Sequence, residues 1–373
     1  MKVAFDAGPI TAHRTGIGHY AHQLATHLLA RPEDCHLRLW SVGRLPVDYA
    51  SLDGATDVRR IPVPARVVYA AWHYTRRPYL ETLVGDADLV HATNYFLPPT
   101  RRARRVLTIH DLAFAAVPEV CPIERVGPFA GDLGRFAREA DAVIAVSEAT
   151  KRDVIRYFEV PPENIAVVHH GKGEQFRFIE RDEAQAWLRT EYGIDAPFFL
   201  FVSTIEPRKN VATLVRAFAK AARDLPHSLV LIGGEGRGAR EVFALADQLG
   251  VGARIVRPGY VDAGELPWFY SGAEAFVFPS DYEGFGMPVL EAMACGCPVI
   301  CADNSSLPEV AGGAADLVQA TDVDGLAAAM VKVATDAEHR EALRTRGLAR
   351  ADEFSWARCA DETLAVYRAA MGA

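Results

Sequence analysis

Short apolar runs alternate with longer stretches whose apolar positions recur every three or four residues, and this alternation continues through all 373 residues. Lys2–Asp6, His36–Val42, Leu89–Ala92, Arg105–Ile109, Ala142–Val146 and Ile165–Val168 read as strands of a first series. Phe198–Val202, Ser228–Ile232, Ile255-Val256, Ala275–Phe278 and Pro298–Cys301 read as strands of a second. Between them lie helical patterns. Ile17, Tyr20, Ala21, Leu24 and Leu28 share one face, as do Val211, Leu214, Val215 and Phe218. Further helices are predicted over 182–192, 287–295, 322–334, 337–349 and 356–371. Strand–helix alternation of this kind predicts α/β domains built on parallel sheets. The chain is long for one core and comfortable for two, and the stretch 171–178 (G-K-G-E-Q-F-R-F) reads as the linker. In parallel sheets ligands sit beyond the carboxyl ends of the strands, so the residues just after each strand matter most. In the first series these are Asp6-Ala7-Gly8, His91, His110-Asp111 and Ser147-Glu148, Ser147 being also a plausible helix N-cap.

The most informative stretch is P-S-D-Y-E-G-F-G-M-P-V-L-E-A-M-A-C-G-C-P, residues 279–298. A buried strand precedes it. A glycine-rich turn then leads into a helix that carries Pro288 in its first turn, where a missing N–H is tolerated. Glu283 falls on the turn and Glu291 about one turn into the helix, so both carboxylates can face the helix mouth. Free N–H groups and the positive end of the dipole suit a phosphate there. Two acids binding hydroxyls on either side of a phosphate describe a site for a sugar joined to a nucleotide diphosphate.

A second cluster follows Phe198–Val202: Ser203-Thr204-Ile205-Glu206-Pro207-Arg208-Lys209-Asn210. Asn210 is a good N-cap for the next helix, which sets Arg208 and Lys209 at a helix mouth beside a strand end. A planar guanidinium fork and an ammonium point charge are the usual pair for phosphate oxygens. Gly233-Gly234-Glu235-Gly236-Arg237-Gly238 lacks the G-K-[ST] ending of a Walker loop. Those glycines suit either a nucleotide backbone or a plain turn. Gly16-Ile17-Gly18-His19-Tyr20-Ala21 fits a G-x-G-x-x-A pattern but lies about ten residues past its strand, too far for a dinucleotide fingerprint. It reads better as a flexible loop whose glycines let a ligand approach.

Composition narrows the partners. The formal charge is −8, divided as 20 basic against 19 acidic residues over 1–170 and 20 against 29 over 171–373, which argues against a nucleic-acid binder. Arg101-Arg102-Ala103-Arg104-Arg105 could touch an anionic membrane or acceptor, or could be a solvated loop. No apolar run is long enough to span a bilayer and the N-terminus lacks a signal pattern, so a cytoplasmic protein is expected. Cys35, Cys121, Cys295, Cys297, Cys301 and Cys359 are scattered among apolar neighbours and read as buried free thiols. His169-His170 has no further ligands in sequence and need not bind metal. The pairs Asp86/Asp88 and Asp322/Asp324 are the D-x-D candidates for a metal, yet neither accompanies the phosphate-binding features.

The run E-G-F-G-x-P-x-L-E, followed by A-x-A-x-G-x-P-V-I, resembles the glutamate-x7-glutamate signature of retaining glycosyltransferase family 4. The resemblance extends over nearly the whole chain. Thr108-Ile109-His110-Asp111-Leu112 matches that family's histidine–aspartate turn, and residues 206–210 match its E-P-R-K-N branch. It implies a GT-B fold: two Rossmann-like domains facing across a cleft, an acceptor domain over 1–170, a nucleotide-sugar donor domain over 171–355, and a terminal helix over 356–373 crossing back to the first. His110, Arg208, Lys209 and Glu283 are then the implied catalytic residues. Gly16, Gly18, Arg208, Lys209, Tyr260, Val261, Glu283, Gly284, Phe285, Gly286, Met287, Val289, Leu290 and Glu291 border the donor, with Tyr260 and Val261 near its base. Many members carry arginine where this chain has Thr204, a place that Arg208 is positioned to take over. The family favours front-face attack over a covalent intermediate on Glu283, with no metal and no cofactor beyond the sugar nucleotide.

The opening block D-A-G-P-I-T-A-H-R-T-G-I-G-H-Y looks most like bacterial mannosyltransferases of surface-polysaccharide and O-antigen assembly. That makes GDP-mannose the first guess for the donor. Acceptors in such pathways are glycans or lipid-linked glycans, which would bring the first domain into peripheral contact with the inner membrane face. The alternatives are another enzyme of the same architecture, either epimerase-like or phosphorylase-like, the latter needing a pyridoxal lysine site that is not evident, and a two-lobed small-molecule binding protein. A nicotinamide oxidoreductase is the weakest of them.

Overall fold

A computed structural model describes residues 1–12, 15–43, 47–126, 130–195 and 197–372. The chain divides into two compact units: Met1–Ala115 with Pro122–Gly171 and Ser355–Ala373, and Ala116–Cys121 with Lys172–Phe354.

The first unit carries seven strands: β1 (Lys2–Asp6), β2 (His36–Val42), β3 (Val58–Ile61), β4 (Leu89–Ala92), β5 (Arg104–Ile109), β6 (Ala142–Ala145) and β7 (Ile165–Val167). They form one sheet in the order β3-β2-β1-β4-β5-β6-β7, with every pairing parallel. The central strands are apolar on both faces because helices cover both sides, as the burial of Val3, Ala4, Phe5, Val106, Leu107 and Val143 records. The second unit has six: β8 (Phe198–Val202), β9 (Ser228–Ile232), β10 (Ile255–Gly259), β11 (Ala275–Phe278), β12 (Val299–Ala302) and β13 (Asp316–Val318). Their order is β10-β9-β8-β11-β12-β13, again all parallel.

In each sheet the strand order reverses at one place, between β1 and β4 and between β8 and β11. There the loops leaving two neighbouring strands turn to opposite faces and open a crevice at the carboxyl ends.

Most expected strands fall within a residue or so of their observed ends, and β1, β2, β4, β8, β9 and β11 match at both ends. The periodicity misses β3 and β13. Both are edge strands whose apolar signal is thin: the adjacent exposed Arg59 and Arg60 fill half of β3, and β13 is three residues long. Ser147 caps the helix Glu148–Phe158, its side chain accepting from the Thr150 N–H at 3.0 Å. Asn210 corrects the expectation placed on it. It precedes the helix Val211–Ala221 in the left-handed region at φ 53° and makes no side-chain cap; its amide instead donates to the Ala320 carbonyl at 2.7 Å and to Asp281 at 3.2 Å.

The terminal helix Trp356–Met371 belongs to the first unit. Ser355 caps it, and it buries Trp356, Cys359, Leu364 and Tyr367. The Tyr367 hydroxyl lies 2.6 Å from His91 Nδ1, and His91 Nε2 lies 2.8 Å from the Thr108 hydroxyl, so the polar tips inside this core satisfy one another. Burial, helped slightly by His110, pushes the His91 pKa down to about 3, which leaves a neutral ring. Gly171 packs directly on the start of this helix: a Cβ there would lie 2.1 Å from the Trp356 backbone nitrogen. The Gly171→Ala protein is therefore expected to lose about 1–3 kcal/mol or more of stability through overpacking. Urea denaturation measures this, and an unchanged midpoint would show that the helix start can shift freely.

Candidate functional site

The crevice between β8 and β11 collects three of the charged residues singled out in the second half of the chain, Arg208, Lys209 and Glu283. Arg208 and Lys209 sit in a short 3₁₀ turn, Pro207–Lys209, just beyond β8. Glu283 sits in the turn beyond β11. The Lys209 ammonium donates to Glu283 Oε1 at 2.6 Å, and Arg208 Nη1 lies 3.3 Å from Glu283 Oε2. Lys209 and Glu283 are almost fully enclosed, 7% and 8% exposed.

Burial alone would push the Glu283 pKa up. The charges of Lys209 and Arg208, with hydrogen bonds from Lys209 and Ser280, overcome this and hold it down to about 2. Arg208 is fixed further by donating to the Tyr282 carbonyl at 2.7 Å and to Glu206 at 3.0 Å. The cations thus stand beside acids, and a phosphate oxygen arriving here would share them with Glu283.

Sequence reasoning passed over the residues that hold the turn. Ser280 donates to Glu283 Oε1 at 2.6 Å, the Ser305 hydroxyl accepts from the Glu283 N–H at 2.9 Å, and the Ser306 hydroxyl lies 2.9 Å from the Glu283 carbonyl and 2.7 Å from the Phe285 carbonyl. Ser280, three residues before Glu283 in the same motif, was visible as a small hydroxyl within reach. Ser305 and Ser306 were not, because only the β12 crossover brings them back.

The helix Met287–Ala294 starts after Gly286, whose φ of 107° favours glycine strongly. Val289 and Leu290, expected at an open helix mouth, have their N–H groups turned onto the Gly286 carbonyl at 3.0 and 3.3 Å, and their side chains are buried. Among the described residues the N–H groups of Gly286 and Met287 keep no partner, so the open donors lie at the very start of the helix. Gly284 and Phe285 complete the turn, with Phe285 buried against Phe354 at 5.9 Å between ring centroids. Glu291 lies apart from the cation cluster: its Oε2 accepts from the Tyr270 hydroxyl at 3.0 Å. Burial pushes its pKa from 4.5 up to about 7, against the restraint of that hydrogen bond.

Tyr260, just after β10, is 79% exposed, and Val261 beside it is buried. The glycine run after β9 packs on the loop after β8 through Ile205 N–H to the Gly234 carbonyl at 2.9 Å and a bridge between Ile205 and Glu235. Thr204 is exposed in that loop.

In the first unit Gly16 and Gly18 correct the loop reading: both lie in the first turn of the helix Gly16–Leu29, whose register is set by the apolar stripe that includes Tyr20 and Leu24. His13 and Arg14 of the opening block lie outside the described residues. His110 is buried at the end of β5. Its Nε2 donates to the Thr93 carbonyl at 2.8 Å, which assigns the proton to that nitrogen, and its ring meets Tyr20 edge-on at 4.8 Å. Burial lowers its pKa.

Other candidates have structural partners. Asp88 accepts from the Lys2 N–H at 2.7 Å and Asp322 caps the helix Val323–Thr335. In the basic run, Arg104 pairs with Asp141 at 2.8 Å, while Glu81 accepts the backbone N–H groups of Arg101, Arg102 and Ala103. Among the described residues no group of three or more His, Cys, Asp or Glu side chains is placed to hold a metal ion, and no helix is long and apolar enough to cross a membrane. All six cysteines are free thiols, and five of them are buried.

Comparison with known proteins agrees with these features. Residues 14–171 match the family model described as Glycosyltransferase Family 4, and residues 188–350 match that described as Glycosyl transferases group 1. An O-antigen chain mannosyltransferase B from Escherichia coli is 31% identical over 99% of this chain and 100% of its own length. A GDP-mannose-dependent alpha-(1-6)-phosphatidylinositol monomannoside mannosyltransferase from Mycolicibacterium smegmatis is 28% identical over 71% of this chain and 80% of its own. The solved structure of a sucrose-phosphate synthase from Thermosynechococcus elongatus superposes with a TM-score of 0.80 over 99% of this chain and 98% of its own, at 22% identity.

The raised Glu291 pKa carries a stability consequence. The folded state holds that proton more tightly than the unfolded state does, so stability falls as pH rises from 4.5 to about 7. Glu291→Gln, which cannot ionise, is therefore expected to be more stable than the parent at pH 8 by about 1–2 kcal/mol, reduced from the full linkage value because the side chain keeps some solvent contact. The gap should close near pH 4. Thermal unfolding of the nucleotide-free protein across pH checks this, and a less stable variant at pH 8 contradicts it.

Proposed function

This chain belongs to the glycosyltransferases that join a family 4 half to a group 1 half, and on that premise we propose how its residues carry out the transfer. The protein is a hexosyltransferase that moves a sugar from a nucleotide diphosphate to an acceptor hydroxyl. The hexose is mannose and the donor GDP-mannose, as the names of its relatives suggest. The second unit is the donor domain and the first the acceptor domain. The observation that carries the reading is the enclosed Lys209–Glu283–Arg208 cluster at the strand-order reversal of the second sheet.

Cleavage of the sugar–phosphate bond leaves negative charge on the diphosphate. Lys209, Arg208 and the N–H groups of Gly286 and Met287 are donors held in place before the reaction starts, so they stabilise that charge at little reorganisation cost. Glu283 accepts from hydroxyls of the transferred sugar, and Glu291 from those of the ribose. Gly284 and Phe285 shape the turn that admits the diphosphate, and Tyr260 and Val261 border the base. His110, neutral and anchored through Nε2, offers its Nδ1 lone pair to a hydroxyl of the sugar. Gly16 lets the donor pass close to the start of its helix, since a side chain there would meet nothing within 4 Å. Gly18 sits two residues further along the same turn.

Configuration is retained through attack on the face that the phosphate leaves, with a phosphate oxygen taking the acceptor proton. No metal ion takes part, so turnover persists in EDTA. The acceptor is a glycan or lipid-linked glycan met at the inner face of the membrane. Exposed Val63, Val67 and Tyr74 beside exposed Arg66 support that contact.

A thermal-shift screen with GDP, UDP, ADP and dTDP identifies the donor base, since the selective ligand raises apparent stability by mass action. Lys209→Ala is expected to cost roughly 3–4 kcal/mol in the barrier, a fall of about a hundredfold to a thousandfold in kcat/KM. It also strands a buried carboxylate, so the fraction folded is measured alongside. A kcat/KM within a few-fold of the parent removes the assigned role, and a covalent sugar adduct trapped on Glu283 overturns front-face attack.

A further inference from the structure

Among the described residues four non-glycines hold a positive φ: Arg76, Glu159, Asn210 and Ser305. Arg76 and Glu159 close helices, where the left-handed conformation is common. The other two adjoin the charged cluster, Asn210 next to Lys209 and Ser305 against Glu283. Backbone in so sparse a region persists only where its surroundings over-determine it, and it gathers at ligand sites. We propose that Ser305 is a positioning residue for the transfer, its hydroxyl fixing the backbone of Glu283 so that the carboxylate stays turned to the sugar of the donor. The proposal rests on the reading of Glu283 as the group that grips the transferred sugar, and adds what keeps that grip open.

Ser305 lies in the turn beyond β12 and Glu283 in the turn beyond β11, and those two strands pair in parallel. The Glu283 N–H donates to the Ser305 hydroxyl at 2.9 Å, and that hydroxyl donates to Asn304 Oδ1 at 3.0 Å. The Asn304 amide in turn donates to the Ser280 carbonyl at 3.1 Å. The next hydroxyl, Ser306, lies 2.9 Å from the Glu283 carbonyl. Both peptide groups flanking the Glu283 Cα are therefore held, which fixes the direction its side chain takes. Side chains alternate sides along extended backbone. The left-handed step at Ser305, φ 49°, lets two successive hydroxyls reach the same turn.

This clamp works against a strong pull. Lys209 and Ser280 both donate to Glu283 Oε1 at 2.6 Å, and Arg208 Nη1 stands 3.3 Å from Oε2. In an enclosed site that attraction is weakly screened. A carboxylate free to swing would close both oxygens onto the guanidinium, whose fork fits it, and would turn away from a sugar hydroxyl. Arg208 is already tied to the Tyr282 carbonyl and to Glu206, so the carboxylate is the partner left to move. Ser305 denies Glu283 the backbone shift such a closure requires.

GDP-mannose and GDP are the probes, or the matching pair for whichever base the nucleotide screen selects. Calorimetry without acceptor gives both dissociation constants, and release of nucleoside diphosphate gives kcat/KM. Ser305→Gly accepts a left-handed φ and removes only the hydroxyl. It is expected to lower kcat/KM at least threefold and to weaken GDP-mannose at least threefold more than GDP, which lacks the sugar. Ser305→Asn tolerates the same conformation and offers an amide oxygen to the Glu283 N–H, so it should regain part of the loss. In a Glu283→Ala background, Ser305→Gly should change the GDP-mannose constant less than twofold, because the residue it positions is gone. Asn304→Ala removes the acceptor of the Ser305 hydroxyl and should shift the same ratio in the same direction, which serves if Ser305→Gly folds poorly. A hydroxyl that only steadies the fold would weaken GDP and GDP-mannose alike, or act equally in both backgrounds, and either result overturns the proposal. So does a folded Ser305→Gly protein whose kcat/KM stays within threefold of the parent. Unaltered turnover in Glu283→Ala itself defeats the reading of the site instead, which keeps the two failures apart.

Discussion

An ammonium and a carboxylate, both removed from water, face each other at 2.6 Å just past the carboxyl ends of β8 and β11. Much of the second unit is arranged around the cost of that pair. Two charges out of water are tolerated only when geometry is good and the remaining lone pairs and protons are satisfied. Here Ser280 takes a share of the same carboxylate oxygen, Arg208 approaches the other, and Ser305 and Ser306 hold the Glu283 backbone. The turn therefore has one arrangement available to it. That is the condition for donors whose value in a reaction comes from already being in place.

Three buried or half-buried acids show how context decides protonation. Glu283 has two cations beside it and is held near 2. Glu291 has a tyrosine hydroxyl, and Asp6 a backbone N–H; burial wins at both and each rises to about 7. A carboxyl poised there is poorly matched to the protein alone and well matched to hydroxyl-rich ligands, which donate to the ionised form and accept from the protonated one. On this argument the two raised acids record unmet hydrogen-bonding capacity in the same way, one in each unit.

The two sheets also repeat one topological device. Each places a crevice where its strand order turns back. The second carries cations, suited to a diphosphate. The first carries a carboxyl, an amide and aromatic rings.

Local pattern was enough for the parallel α/β architecture, for most strand ends and for the charged residues that follow β8 and β11. Buried parallel strands leave unbroken apolar runs, and the E-G-F-G-x-P-x-L-E turn carries its chemistry within nine positions. Proximity in sequence could not reach further. The pairing of Lys209 with Glu283 spans 74 positions, and the clamp from Ser305 spans 22. Asn210 had the composition of a helix cap, but a carbonyl brought from residue 320 competed for its amide and won. Gly16 and Gly18 looked like loop because glycine is permissive, and the packing of Tyr20 and Leu24 drew them into a helix. Asp6 was legible only as the end of a strand; its burial with a single backbone N–H for a partner among the described residues became visible once β4 and the aromatic rings closed around it. Hydrogen-bond satisfaction and burial are properties of the assembled fold, so tertiary structure alone decided them.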